Sequence, residues 1–157
     1  MPSSDPTVNA MLFCDQAFQQ AQTGKWCLIG VYSMVWVREF PTAHSPLCVF
    51  ISLSDFKGET NVQVVVRDTQ GGKLIGAGGQ VPAIPHGVFE IGMQLPPIAL
   101  KEAGVYTVEF LAGDRLLAMR SLRAEVAPPN IGQGGMQQGP PPGGRSPRGP
   151  LPGTDPN

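Results

Sequence analysis

Between residues 10 and 127 the chain is a succession of short apolar runs cut by glycine, proline, asparagine or aspartate, and no stripe of 3.6-residue period reaches helix length. Segments that alternate every two residues and turn this often must each bury one face against a second sheet, so the foldable part is predicted to be all-β. Candidate strands cover residues 10–18, 25–37, 47–55, 61–69, 73–79, 87–95, 104–112 and 115–126. Their number and spacing predict a sandwich of about seven or eight antiparallel strands.

The alternation is cleanest where Phe89, Ile91, Met93 and Leu95 share one face and Glu90, Gly92 and Gln94 the other. In the last candidate strand Leu117 and Met119 carry one apolar phase and Leu122, Ala124 and Val126 the opposite one, which predicts a β-bulge near Arg120 and Ser121. Asp68-Thr69-Gln70-Gly71-Gly72-Lys73 and Ala112-Gly113-Asp114-Arg115 have the glycines that tight reversals require, and both are predicted hairpins. Leu100 to Val108 places Glu102 and Gly104 just ahead of Tyr106. That order resembles the tyrosine corner of immunoglobulin-like domains, whose hydroxyl bonds to main chain a few residues upstream. The cysteine that commonly follows two residues later is Val108 here, so no inter-sheet disulfide is expected.

Residues 128–157 hold nine prolines and eight glycines, seventeen of thirty positions, and have too few apolar side chains to offset the entropy of ordering. The domain reading is therefore a flexible N-terminus at 1–8, an immunoglobulin-like β-sandwich at 9–127 and a disordered Pro/Gly-rich tail at 128–157. Within the tail, Pro147-Arg148-Gly149-Pro150 fits a PxxP spacing that suits polyproline II.

Charge removes several function classes. Eleven Lys and Arg nearly balance twelve Asp and Glu with no run of one sign, so nucleic acid and anionic membranes are not expected partners. No apolar stretch reaches the roughly 18 residues that span a bilayer, and the first residues lack the basic and apolar regions of a secretory signal. The cytoplasm is the expected compartment. Cys14, Cys27 and Cys48 are an odd number without C-x-x-C spacing and read as reduced, buried thiols, with a Cys14–Cys27 bridge across the first hairpin as the alternative.

Catalytic and metal chemistry need convergent side chains, and only two histidines, His44 and His86, are available. If the strands run simply up and down, these lie at opposite ends of the sandwich, too far apart for one metal ion. His44 and Cys48 could pair as base and nucleophile, but Pro46 lies between them and Cys48 runs on into Val49-Phe50-Ile51. Cys14 and Asp15 are neighbours on a strand and point to opposite faces. Gly71, Gly72, Gly76, Gly78 and Gly79 lack the GK[ST] of a phosphate loop and read as turn, bulge and edge glycines. No catalytic residue, cofactor or metal ligand is assigned.

The runs Leu12-Phe13-Cys14-Asp15, Thr23-Gly24-Lys25 and Leu28-Ile29-Gly30-Val31-Tyr32 resemble a family of small uncharacterised bacterial proteins, a domain of unknown function. The resemblance covers about residues 10–126 and implies a small immunoglobulin-like sandwich with no assigned activity. It supplies no catalytic residues.

The segment 26–37 is apolar in both phases. Trp26, Leu28, Tyr32, Met34 and Trp36 share one parity, and Cys27, Ile29, Val31, Val35 and Val37 the other. A surplus aromatic face would suit a partner or a second copy, which makes Trp26, Tyr32, Met34 and Trp36 the candidate interaction surface. The alternative is that Gly30 bends the strand so that it changes sheets and buries its two halves in turn. A second surface would form if the loops at 19–23, 56–59, 81–87 and 113–114 gather at one end, as up-and-down strands would place them.

The expected function is a non-enzymatic protein-interaction or accessory module with a protein partner or a homodimer contact. The rival readings are a structural homo-oligomer built on the Trp26/Tyr32/Trp36 face and a small enzyme with a cysteine nucleophile.

Overall fold

In the computed structural model residues 6–129 are described, and apart from Pro128 and Pro129 the tail with its expected disorder and its PxxP motif lies outside them. The strands are β1 (Thr7–Gln19), β2 (Trp26–Tyr32), β3 (Met34–Val37), β4 (Thr42–His44), β5 (Leu47–Phe56), β6 (Thr60–Arg67), β7 (Lys73–Val81), β8 (Ile84–Leu95), β9 (Ile98–Leu100), β10 (Gly104–Ala112) and β11 (Arg115–Val126). One sheet has the order β2-β1-β5-β8, the other β3-β11-β10-β6-β7, and β4 and β9 form a short separate pair. Neighbours in the sheets are mostly not neighbours in sequence, so this is a crossed-over immunoglobulin-like sandwich rather than an up-and-down one. Among the described residues no helix is long and apolar enough to cross a membrane.

Odd-numbered residues of β1 and β5 supply one inner face, including Met11, Phe13, Val49, Ile51 and Leu53, and meet Val62, Val64, Val66, Val108, Phe110 and Leu122 from the other sheet. Each such side chain, fully buried, contributes about 1.5–3 kcal/mol of transfer free energy. Tyr106 is buried among them, and its hydroxyl donates to the Glu102 carbonyl oxygen (2.9 Å) while the main-chain N–H groups of Lys101 and Glu102 donate to it. The tyrosine corner is thus formed, with Gly104 opening β10 opposite Ala124. Both expected hairpins are present. Asp68 Oδ1 accepts from the N–H groups of Gln70 and Gly72, and Ala112 pairs with Arg115 across a two-residue loop.

Several expectations are corrected. β1 begins at Thr7, paired with Ser54, so the strand starts inside the 1–8 segment expected to be flexible. The candidate strand at 25–37 is two strands in different sheets, the change of sheet that stood as the alternative to a surplus aromatic face, though it falls between Tyr32 and Met34 rather than at Gly30, and β3 runs parallel to β11. The β4–β9 pair is additional. In β11 the register shift falls at Leu117, because Ala118 already pairs with Phe110. From there to Ala124 the even phase faces inward, and Arg120 occupies one of its positions opposite Val108. Its guanidinium lies 5.4 Å from the Phe13 ring centroid and donates to the Met11 carbonyl oxygen, so a charged residue closes the sandwich where a break in pattern was expected.

The strand directions also rearrange the loops. β1 passes from Thr7 beside Ser54 to Cys14 beside Cys48 and onward, which puts the turn after Gln19 at the Leu47 end of β5. The loops after Phe56 and before Ile84 and the Gly113 turn lie at the other end, where Gly113 N–H donates to the Asn61 carbonyl oxygen. Three of the four loops expected to cluster do so, and the one at 19–23 does not.

Candidate functional site

The outer face of β5 would be solvent-facing in a plain two-layer sandwich, yet every residue from Leu47 to Leu53 is buried. The cover is the far half of the β1–β2 hairpin. A Cβ built on Gly92 would lie 2.9 Å from the Ala17 Cβ and 3.0 Å from Trp26 Cζ3, and Phe50, the Gly92 partner across the strands, meets the Trp26 ring edge-on at 5.5 Å. The hairpin therefore folds across β5 and β8 with Ala17 and Trp26 against them. Only glycine at position 92 leaves room for it, since any side chain there would overlap atoms fixed to the hairpin backbone.

With Ala17 and Trp26 turned inward, the opposite phase of the hairpin is left outside. Phe18, Ile29 and Val31 are 46%, 51% and 53% exposed. β2 is also the edge of its sheet, paired with β1 on one side and with no strand on the other among the described residues. Its sequence, WCLIGVY, has no charge and no proline. Sheet edges are usually guarded by such residues, because unpaired N–H and C=O groups invite another strand. The other long edges carry charge, Glu90 in β8 and Lys73 in β7.

Where β2 passes into β3, an open cavity of about 300 Å³ is lined by Asp15, Gly30, Val31, Tyr32, Met34, Val35, Trp36 and His44. Gly30 has φ +66°, a conformation few side chains tolerate, and a Cβ there would lie 2.8 Å from Asp15 Cγ and closer still to Oδ2. The absent side chain is what lets the Asp15 carboxylate lie across β2 toward its edge. Tyr32 Oη is 2.9 Å from His44 Nε2 and 3.1 Å from the Pro46 carbonyl oxygen, and the two rings meet edge-on at 5.7 Å. Burial pushes the Tyr32 hydroxyl well above its usual range, with Asp15 adding to the effect. Burial lowers the His44 pKa, and Asp15 partly opposes it.

Of the four residues singled out from sequence, Tyr32, Met34 and Trp36 line this cavity, whereas Trp26 lies on Phe50 and Gly92. They do not form one face, because the chain changes sheets between Tyr32 and Met34. Sequence reasoning passed over Phe18, set Ile29 and Val31 on the parity opposite the candidate surface, and weighed Asp15 and His44 for catalytic or metal chemistry alone. The signal that would have found the first three was the phase shared by Phe18, Cys27 and Ile29, which sheet register places together.

The other chemistry stays apart. Cys14 and Cys48 face each other across β1 and β5 beneath the hairpin, while Cys27 pairs with Phe18, so all three thiols are free and Cys14 is not placed to bridge Cys27. Burial, helped by the neighbouring thiol, pushes Cys14 up to about 11, and burial also raises Cys48. His44 precedes Leu47, which pairs with Leu95, and His86 precedes Val88, which pairs with Ser54, so the histidines lie at opposite ends of the β5–β8 pair. Among the described residues no three His, Cys, Asp or Glu are grouped to hold a metal ion. A second concavity, about 470 Å³, lies over Asn61, Gln63, Gly78, Gly79 and the Gly113 turn, with Asp114 its only titratable group.

The chain belongs to the Family of unknown function (DUF6941), matching it over residues 9–125. No curated protein matches it. Among solved structures it is similar to an immunoglobulin-like protein from Pseudomonas aeruginosa, with 14% sequence identity and a TM-score of 0.40, over 80% of this chain and 100% of that one.

Proposed function

Starting from a family without an assigned activity, we propose that this chain is a non-enzymatic protein-interaction module that takes an extended segment of a partner protein along the free edge of β2. The observation that carries the reading is the unguarded edge itself: seven residues without charge or proline, with Ile29 and Val31 half-exposed and Phe18 beside them. Strand addition uses main-chain hydrogen bonds for affinity and alternate side chains for specificity, and β2 offers both. The exposed apolar patch is three side chains, Phe18, Ile29 and Val31, against the roughly 20–30 residues a side that a stable dimer buries, which favours a linear segment over a second copy. The groups that would serve an enzyme favour the same side. Cys14 and Cys48 are buried thiols held protonated, and the nearest histidine to them in sequence, His44, is engaged with Tyr32. Free thiols in paired positions suit a reducing compartment, the cytoplasm.

The test is selection from a random peptide library against the wild-type protein and against Ile29→Lys. The proposal expects peptides of alternating apolar pattern whose binding falls at least about tenfold with the lysine, which opposes a strand at its edge as natural gatekeepers do. Peptides that bind both proteins equally, or no peptides at all, would overturn it.

A further inference from the structure

Beside the β2 edge the structure holds a cavity whose chemistry is specific. Trp36, 42% exposed, and Tyr32 supply aromatic surface, and Asp15 supplies a carboxylate drawn across Gly30. Among the described residues no Lys or Arg forms an ion pair with Asp15. Its field reaches inward, since it acts on both Tyr32 and His44. With the Tyr32 proton given to the Pro46 carbonyl oxygen, the short contact to His44 is made by Nε2–H donating to Tyr32 Oη, and burial, which lowers the His44 pKa from its ordinary 6.5, keeps the ring neutral at neutral pH. Asp15 is then the one formal charge lining the cavity.

We propose that this cavity is a subsite for a cationic side chain, a lysine or arginine of the partner segment, held between the Asp15 carboxylate and the rings of Trp36 and Tyr32. The proposal rests on the strand-addition reading of β2 and adds its specificity. Aromatic faces attract cations through their quadrupole, and a nearby carboxylate adds a charged hydrogen bond. Gly30, Val31 and Tyr32 of β2 line the cavity, which puts it within reach of a side chain from a segment paired with that strand. A neutral apolar side chain would leave the carboxylate facing an uncompensated apolar group, which sets the preference for a cation.

The experiment titrates the ¹⁵N-labelled protein with N-acetyl-arginine amide and N-acetyl-lysine amide, with N-acetyl-norleucine amide as the uncharged match. The readout is the indole N–H of Trp36, assigned with Trp36→Phe, with Trp26 as internal reference. The expected result is a saturating Trp36 shift with both cations, at a Kd of about 1–10 mM, little with norleucine, and at least a fivefold weakening (roughly) in Asp15→Asn with the Trp26 signal unmoved. Equal shifts with norleucine, unchanged binding in Asp15→Asn, or no saturating shift would overturn the subsite. A longer extended peptide and its backbone N-methylated form separate the two claims. Cation binding without sensitivity to methylation rejects strand addition and keeps the subsite, whereas methylation-sensitive binding of peptides lacking a basic residue rejects the subsite and keeps strand addition.

Discussion

Tyr32 Oη lies 2.9 Å from His44 Nε2, a bond that ties the end of β2 to the short β4 strand and holds the cavity wall between them. The sign of its pH dependence follows from burial. His44 has a folded pKa below its ordinary value of 6.5, so its contribution to stability is present above that value and is lost as pH falls through the lower folded pKa. The stability difference between wild type and His44→Gln should therefore shrink between about pH 7.5 and about pH 5, a span that brackets the ordinary histidine pKa. Urea midpoints at the two pH values check this, and a constant difference would contradict it.

Gly92→Ala should destabilise the protein by about 1–3 kcal/mol, the usual range for overpacking, because the new methyl meets the Ala17 Cβ and the Trp26 ring. The same substitution should shift Trp26 emission to the red as the hairpin lifts. Urea denaturation with fluorescence detection in a Trp36→Phe background measures both.

Tyr106→Phe removes the hydroxyl that accepts from two main-chain N–H groups and donates to Glu102. Leaving those groups without their partner costs about 1–3 kcal/mol. The loss should appear as a lower denaturant midpoint with an unchanged slope, the pattern of lost stability without a change of fold.

Thiol labelling tests the cysteine assignments. Cys14 and Cys48 are almost completely buried and raised in pKa, while Cys27 is half-buried, so the native protein at pH 8 should react quickly at one thiol only. Cys27→Ala should abolish the fast phase, and unfolding should expose the rest. A fast phase that survives Cys27→Ala would revive a reactive-cysteine function.

What was legible in the sequence was what depends on near neighbours. The hairpins at Asp68–Lys73 and Ala112–Arg115 and the corner at Tyr106 are set by residues within six positions of one another, and all three are present. The β4–β9 pair escaped because three-residue strands carry no period. Arg120 misled because a guanidinium on an inward position looks like a break in phase, and only its contacts to Phe13 and Met11 on a distant strand explain it. The exposed phase of β2 was misjudged for the same reason: which side of Trp26 meets protein is decided by Gly92, far away in the chain. Asp15 and His44 were weighed singly against catalytic roles, whereas their meaning lies in the cavity that the β2–β3 crossing encloses.

The most direct test of the central claim is amide hydrogen exchange over Trp26–Tyr32 with and without a peptide selected for binding. Strand addition predicts that the β2 amides left unpaired by β1 slow at least about tenfold, because each gains a main-chain acceptor sheltered from water. Protection confined to other strands, with β2 exchange unchanged, would contradict the account.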